Sequence, residues 1–293
     1  VRILITGIAG FIGSHLADRF LAEGHDVSGV DNLETGRFAN SPVAFEHIDI
    51  ADRLDFYNVA NRTEPDLVVH CAASYKDPEK WHHDTDTNVT GTINAALVAK
   101  HHDAKLVYFQ TGLPPISSYA ISKIAGEHFV RLSGQPHLIF RLANVYGPRN
   151  VSGPVPAFYK RISARQDCTV VATVRDVVFI RDLVDCVMLA LDEGYTGTYD
   201  VCSGEDTTIL EQYKAVSDAL PVTMDDGPFD PRHLGPPTLV PAQTDDVQPD
   251  VRPDRGVPGW APTVVLAEGV AEAVHWYQTH GLEQTYTHLA VKA

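Results

Sequence analysis

The residues able to do chemistry concentrate in two short runs, Tyr119-Ala120-Ile121-Ser122-Lys123 and Thr6-Gly7-Ile8-Ala9-Gly10-Phe11-Ile12-Gly13. Before the first, Ser117 and Ser118 offer an N-cap, so a helix starting there puts Tyr119 and Lys123 at i and i+4 on one face. An ammonium roughly 4 Å from a phenol, at an effective dielectric near 20, favours the phenolate by about 4 kcal/mol. That equals about three pKa units, enough to bring a tyrosine from about 10 toward neutrality. The expected chemistry is proton transfer by Tyr119 at neutral pH. A core tyrosine beside a surface lysine has the same spacing, so the pair needs support from the rest of the chain.

The second run supplies it. A short β-branched stretch, Val1 to Ile5, precedes the glycines, and Phe11, Ile12, His15, Leu16, Phe20 and Leu21 follow at helical spacing. The glycines therefore stand where a buried strand turns into a helix. Gly7 suits the tight turn, Gly10 lets a pyrophosphate approach the backbone, and Gly13 lets the helix lie close on the sheet. Unpaired amides at the helix start, those of Phe11 and Ile12 among them, together with the positive end of the dipole, favour a doubly charged phosphate bridge. A second strand, Asp26 to Val30, ends in Asp31-Asn32, about twenty residues past the glycines. A carboxylate there accepts from ribose hydroxyls and repels a 2′-phosphate, which favours NAD over NADP. Arg37 opposes that charge without removing it.

The elements that must position these runs alternate between β and α over about 140 residues, the pattern of a doubly wound parallel sheet. Val43 to Ile48 reads as a third strand, Asp66 to His70 as a fourth, Lys105 to Gln110 as a fifth and His137 to Leu142 as a sixth. A polar helix is expected from Asp52 and a long one from Asp84 to His101. Ala72 and Ala73, at the carboxyl end of the fourth strand, leave room for a cofactor beyond the sheet edge. Composition changes after Gly147-Pro148-Arg149. Residues 1–150 are read as a Rossmann domain to which the chain returns at about 176–215. Residues 151–293 are read as a smaller substrate-binding region with a late amphipathic helix, Ala267 to Thr279.

Composition narrows the partners. A formal net charge of −15 argues against nucleic acid and anionic membranes, so an anionic substrate needs local arginines or helix ends. No apolar run approaches the roughly 20 residues of a membrane span, and no signal peptide is evident. The expectation is a cytoplasmic protein with four unpaired cysteines, Cys71, Cys168, Cys186 and Cys202. His82-His83 and His101-His102 do not chelate, because adjacent helical residues point about 100° apart. No metal is expected.

Taken together, the two runs resemble the extended short-chain dehydrogenase/reductase family, specifically its nucleotide-sugar epimerases and dehydratases. The resemblance covers essentially the whole chain. It includes Asp31-Asn32-Leu33, Cys71-Ala72-Ala73, Asn88-Val89-Thr90-Gly91-Thr92, the run from Arg141 to Arg149, Arg175-Asp176 and Gly259-Trp260-Ala261-Pro262. It implies that Tyr119 is the catalytic base, that Lys123 also holds the nicotinamide ribose, and that Thr111 bonds the reacting sugar oxygen. It also implies adenine contacts at Asp49 and Ile50, and substrate diphosphate contacts at Asn144, Arg175 and Arg232. A guanidinium pairing two phosphate oxygens suits the last role. A homodimer is the family's common state.

The resemblance separates branches as well. The 4,6-dehydratases carry an Asp-Glu pair directly after the threonine, and the decarboxylases place an acid nearby. Gly112-Leu113 stands here instead, so elimination lacks its acid and base. The expected enzyme is an NAD-dependent nucleotide-sugar 4-epimerase, acting on a UDP-hexose or its uronic acid or N-acetyl derivative. Its rivals are a keto-sugar reductase, a 4,6-dehydratase relative, and a binding or sensor protein that holds NAD without turnover. Only Gly112 to Ser118 separate Thr111 from Tyr119, fewer residues than the resemblance implies. At about 3.3 Å each they still span the gap.

Overall fold

The computed structural model describes residues 1–285 other than 76, 78, 221–222, 225–226, 229, 231–233 and 243–246. In chain order the elements are β1 (Arg2–Thr6), α1 (Phe11–Ala22), β2 (Asp26–Asp31), β3 (Glu46–His47), α2 (Arg53–Thr63) and β4 (Leu67–His70). Next come α3 (Trp81–Asp84), a π-helical turn (Thr85–Thr90), α4 (Gly91–His101), β5 (Lys105–Thr111), α5 (Ser118–Leu132) and β6 (His137–Leu142). Then follow β7 (Asn144–Tyr146), α6 (Pro154–Ser163), β8 (Thr169–Ala172), β9 (Val174–Phe179), α7 (Ile180–Asp192) and β10 (Gly197–Val201). The later elements include β11 (Asp206–Thr208), α8 (Ile209–Ala219) and α9 (Leu266–His280).

The chain divides into two compact units. The first comprises residues 1–142, 184–201 and 249–260, and the second 143–183, 202–248 and 261–293. The chain thus returns to the first unit through two segments, where its composition suggested one return at about 176–215.

In the first unit, seven parallel strands lie in the order β10-β6-β5-β4-β1-β2-β3. Strands such as β4, all four residues of which are buried, need apolar cover on both faces, and the helices provide it. One core layer joins Leu4, Val30, Val68 and Leu106 of the strands to Phe56 of α2 and Val98 of α4. The order reverses between β1 and β4, which opens a crevice at the carboxyl ends of those two strands.

Two sequence readings change. The third strand shrinks to Glu46–His47, because it is the sheet's edge and pairs only with Val30 and Asp31. The long helix starts a turn early, at Trp81, and widens into a π turn before α4.

The link from β5 to α5 runs continuously from Gly112 to Ser117. Gly112 N donates to Leu142 O (3.2 Å), and Gly112 O accepts from Asp250 N (2.8 Å). A Cβ at Gly112 would sit 2.5 Å from Val251 Cγ1 and 2.8 Å from Pro249 Cβ, so this late segment fills the side-chain space beside the link.

In the second unit, β9 pairs in parallel with β7 and antiparallel with β11. β8 pairs with a strand at Thr238–Pro241. α8 begins with a capping box, Thr208 and Glu211, and packs against α6 and α9. On α9, the Tyr277 hydroxyl reaches back to Asn150 O (2.9 Å).

Candidate active site

The turn after β1 is built from backbone. Gly7 has φ +70°, and a Cβ there would lie 2.7 Å from Ala72 N, so the turns after β1 and β4 meet with no room for a side chain. A Cβ at Gly13 would lie 2.2 Å from Gly7 O, which fixes how closely α1 lies on the turn. Gly10 is the N-cap of α1; no side chain caps the helix and no acid stands in its first turn. The first-turn amides, those of Phe11 and Ile12 included, are thus left to a ligand.

Beside them, the buried Asp31 carboxylate accepts from Ala9 N (2.9 Å) and Leu33 N (2.8 Å). Burial raises its pKa, while the amides of Leu33, Ala9 and Gly10 and the nearby His47 pull it down. Arg37 N and Asn40 Nδ2 both donate to Ala9 O (3.0 and 3.2 Å), folding the chain after β2 back over the glycine turn. Asn32 Nδ2 donates to Asp49 Oδ2 (3.3 Å), and Asn94 Nδ2 donates to Ile50 O (3.0 Å). Ala72 N donates to Thr6 Oγ1 (3.2 Å), and Ala73 follows it half-buried. Uncapped amides beside a buried carboxylate are the donor and acceptor set a dinucleotide needs, and these residues fit one.

The second group stands on β5 and α5. Ser117 caps α5 by accepting from Ala120 N (3.2 Å). Thr111 ends β5, buried, its Oγ1 accepting from Leu113 N (3.2 Å). Lys123 is buried, with Nζ 4.3 Å from the centroid of the Tyr108 ring, and the Tyr108 hydroxyl donates to Lys123 O (2.9 Å). This corrects the electrostatics expected from i, i+4 spacing. The spacing puts two Cβ atoms on one face, but the long lysine side chain lays its ammonium on an aromatic ring of β5. Tyr119 is held above its ordinary pKa, by burial first and then by Tyr75 and Asp84. Burial brings Lys123 down to about 7, with Cys71 opposing that fall.

Beneath them lies a buried network the sequence did not reveal. His70 Nδ1 is 2.6 Å from Thr6 Oγ1, and its Nε2 is 2.9 Å from Thr92 Oγ1. Thr92 gives its one proton to Asn88 O (2.6 Å), so it accepts from His70, and the ring is the neutral Nε2–H tautomer. Burial, and then the Lys123 charge, push His70 down to about 3. Asn88, fully buried on the π turn, accepts from Ser74 N (2.9 Å) through Oδ1. Its Nδ2 donates to Ser74 O (2.9 Å) and to Ser122 Oγ (3.0 Å). The Asn88-Val89-Thr90-Gly91-Thr92 run marked this stretch, but its apolar spacing carries no sign of a π turn, and that turn sets where Asn88 points.

Asn144 and Arg175 lie on neighbouring strands of the second unit. Asn144 Nδ2 donates to Asp176 O (3.1 Å), and Arg175 Nη1 donates to Val174 O (2.7 Å) and Thr173 Oγ1 (3.0 Å). Arg232 lies outside the described residues. None of the four cysteines is in a disulfide. Among the described residues, no group of three or more His, Cys, Asp or Glu is placed to hold a metal ion, and no helix is long and apolar enough to cross a membrane.

Uncapped amides and a buried carboxylate at the carboxyl edge of a parallel sheet, with a Tyr–Lys helix on the same edge, define a dinucleotide-dependent enzyme of Rossmann type. The chain belongs to the NAD dependent epimerase/dehydratase family, whose sequence profile matches residues 3–202. It is 32% identical to a UDP-glucose 4-epimerase of Mycolicibacterium smegmatis over 321 aligned positions, covering 95% of this chain and 99% of that one. Among solved structures it is similar to Bordetella bronchiseptica WbmH in complex with NAD+ (TM-score 0.84, 38% identity, 96% of this chain and 99% of that one). It is also similar to WbmG of the same organism in complex with NAD and UDP (TM-score 0.83, 34% identity, 99% and 98%).

Proposed function

We propose that this protein is an NAD-dependent nucleotide-sugar 4-epimerase, acting on a UDP-hexose or on its uronic acid or N-acetyl derivative. The observation that carries the reading is the β5–α5 edge. Thr111 ends β5, Tyr119 and Lys123 stand on α5, and Gly112-Leu113 occupies the positions where eliminating relatives carry acids. The M. smegmatis relative and the NAD- and UDP-bound neighbour support the same substrate class.

When bound, NAD supplies the acceptor and donor of hydride at C4. Thr111 holds the C4 oxygen, and Tyr119 takes its proton as the 4-keto sugar forms and returns it after the sugar has turned. Lys123 holds the nicotinamide ribose. Phe11, Ile12 and Gly13 amides hold the pyrophosphate, Asp31 the adenosine ribose, and Asn32, Asp49 and Ile50 the adenine end. Asn144 and Arg175, with Arg232, hold the substrate diphosphate, and the second unit is the substrate-binding region. Exposed Leu97 on α4 and Ile121 and Leu132 on α5 support a homodimer through those helices. Four cysteines outside any disulfide support a reducing, cytoplasmic setting.

The test is to incubate the purified protein with a panel of nucleotide sugars, adding no cofactor, and follow C4 interconversion. Interconversion with no net change in nicotinamide absorbance is the expected result. Stoichiometric consumption of added reduced cofactor would make it a keto-sugar reductase. Cofactor binding without any turnover across the panel would leave the sensor reading.

A further inference from the structure

The segments that leave β2 and β4 meet beyond the sheet. Those two strands flank β1 on either side. Glu34 stands just past the end of β2, and His83 stands on α3, after β4. His83 Nε2 lies 2.7 Å from Glu34 Oε2. Each segment starts at a carboxyl end on its own side of β1, so their meeting spans the end of β1 and the glycine turn.

The contact closes a ring. The glycine turn meets the segment after β4, where a Cβ at Gly7 would lie 2.7 Å from Ala72 N. Ser74, further along, donates to Oδ1 of Asp84 (2.8 Å), the neighbour of His83. From Glu34 the segment after β2 runs back to the turn, where Arg37 N donates to Ala9 O (3.0 Å) and Asp31 Oδ2 accepts from Ala9 N (2.9 Å). The links at Ala9, Ala72 and Ser74 are backbone contacts or buried bonds. Of these links, only Glu34 to His83 joins two side chains that water reaches, 39% and 32% exposed. It is the link that can open without unpacking the fold.

We propose that the Glu34–His83 pair is a latch across the dinucleotide crevice, opening to admit NAD and closing to keep it. The proposal rests on the 4-epimerase reading in one respect, that an enzyme regenerating NAD in every turnover has to hold it between turnovers. The residues assigned to the adenosine ribose and pyrophosphate, Asp31, Phe11 and Ile12, belong to the ring or adjoin it, so what they hold stands between the latch and the turn. A latch differs from a binding contact in its kinetics. A group that binds the cofactor slows its release alone. A latch must open for entry as well as for exit, so its loss speeds both and leaves affinity nearly unchanged.

The test measures NADH binding by its own fluorescence, with association followed in stopped flow and dissociation during a chase with excess NAD. In Glu34→Ala and in His83→Ala, both rates should rise about threefold while Kd stays as in the wild type. The double variant should go no further than either single one, and His83→Lys, which keeps a cation for Glu34, should return to wild-type rates. Faster release with unchanged association, or no change in either rate, overturns the proposal. A second protein, Glu34→Cys with His83→Cys, is loaded with NADH and tethered by a short bismaleimide. Burial pushes the Cys71 thiol up and the other three native cysteines are buried, so the tether joins the two introduced thiols. The tethered protein should keep its NADH through a chase that empties the untethered one, and release at the untethered rate also overturns the proposal. Every reading uses cofactor alone. Failure to turn over any sugar would therefore sink the 4-epimerase reading and leave the latch to be judged on these rates.

Discussion

The glycine turn after β1 and the catalytic helix α5 stand on one edge of the same sheet, yet they are held by different means. The turn is fixed by sterics and peptide amides. Gly7 lies against Ala72 and Gly13 against Gly7 O, at distances no side chain permits. The surroundings of α5 are fixed by buried polar side chains, with His70 kept neutral, Lys123 brought near 7 and Tyr119 pushed up. A backbone-built site has no proton to lose in the physiological range. A site made of desolvated titratable groups does. The grip of the glycine turn on the pyrophosphate should therefore ignore moderate pH changes that alter proton transfer.

The sharpest way to separate the two regions is Tyr119→Phe. It should lower kcat by roughly 10²–10⁴-fold while the NAD retained per chain stays as in the wild type. Turnover and cofactor content measured on one preparation check this, and a parallel loss of both would mean the regions are not separable. Next in size is Gly13→Ala. Its Cβ would stand 2.2 Å from a backbone oxygen that has no rotamer to change. Denaturant unfolding should show about 2–3 kcal/mol lost, together with weaker NAD binding.

The third test addresses the side-chain region through pH. His70 titrates near 3 in the folded protein and near 6.5 unfolded, so the unfolded chain binds the extra proton between those values. Its contribution to stability is complete above about 6.5 and is lost as pH falls toward 3, about 2 kcal/mol by pH 5. A His70→Gln protein should show a correspondingly flatter fall in Tm between pH 7 and 5, and equal slopes would refute the buried neutral ring. The smallest effect is expected of Asp31→Asn. It should weaken NAD about tenfold, about 1.4 kcal/mol, in a calorimetric titration, without changing the pH dependence of kcat.

The same contrast explains what could be read from the sequence. The glycine spacing, Asp31 and the alternation of strands are local patterns, and each stands where its spacing puts it. Tyr119 and Lys123 were legible as a pair on one helix, but the direction of the ammonium was not, because Tyr108 on another element draws it. Asn88, Ser74 and Asp84 become partners only through a π turn that leaves no mark in the apolar period. Of the expected third strand, Val43 to Ile48, only Glu46–His47 forms, because the sheet's edge offers it little to pair against. Arg175 is legible as a cation, while its bonds to Thr173 and Val174 depend on the bend between β8 and β9.

The docking of Pro249, Asp250 and Val251 on Gly112 has a consequence for how the protein is made. β1, α1, β2, β4 and Ala72 all precede residue 73, and they contain what the glycine turn packs against. The peptide group beside Thr111 waits for a partner encoded more than a hundred residues later. Synthesis completes the nucleotide cradle first and the reacting edge last, so a chain stalled before residue 249 would carry the one without the other.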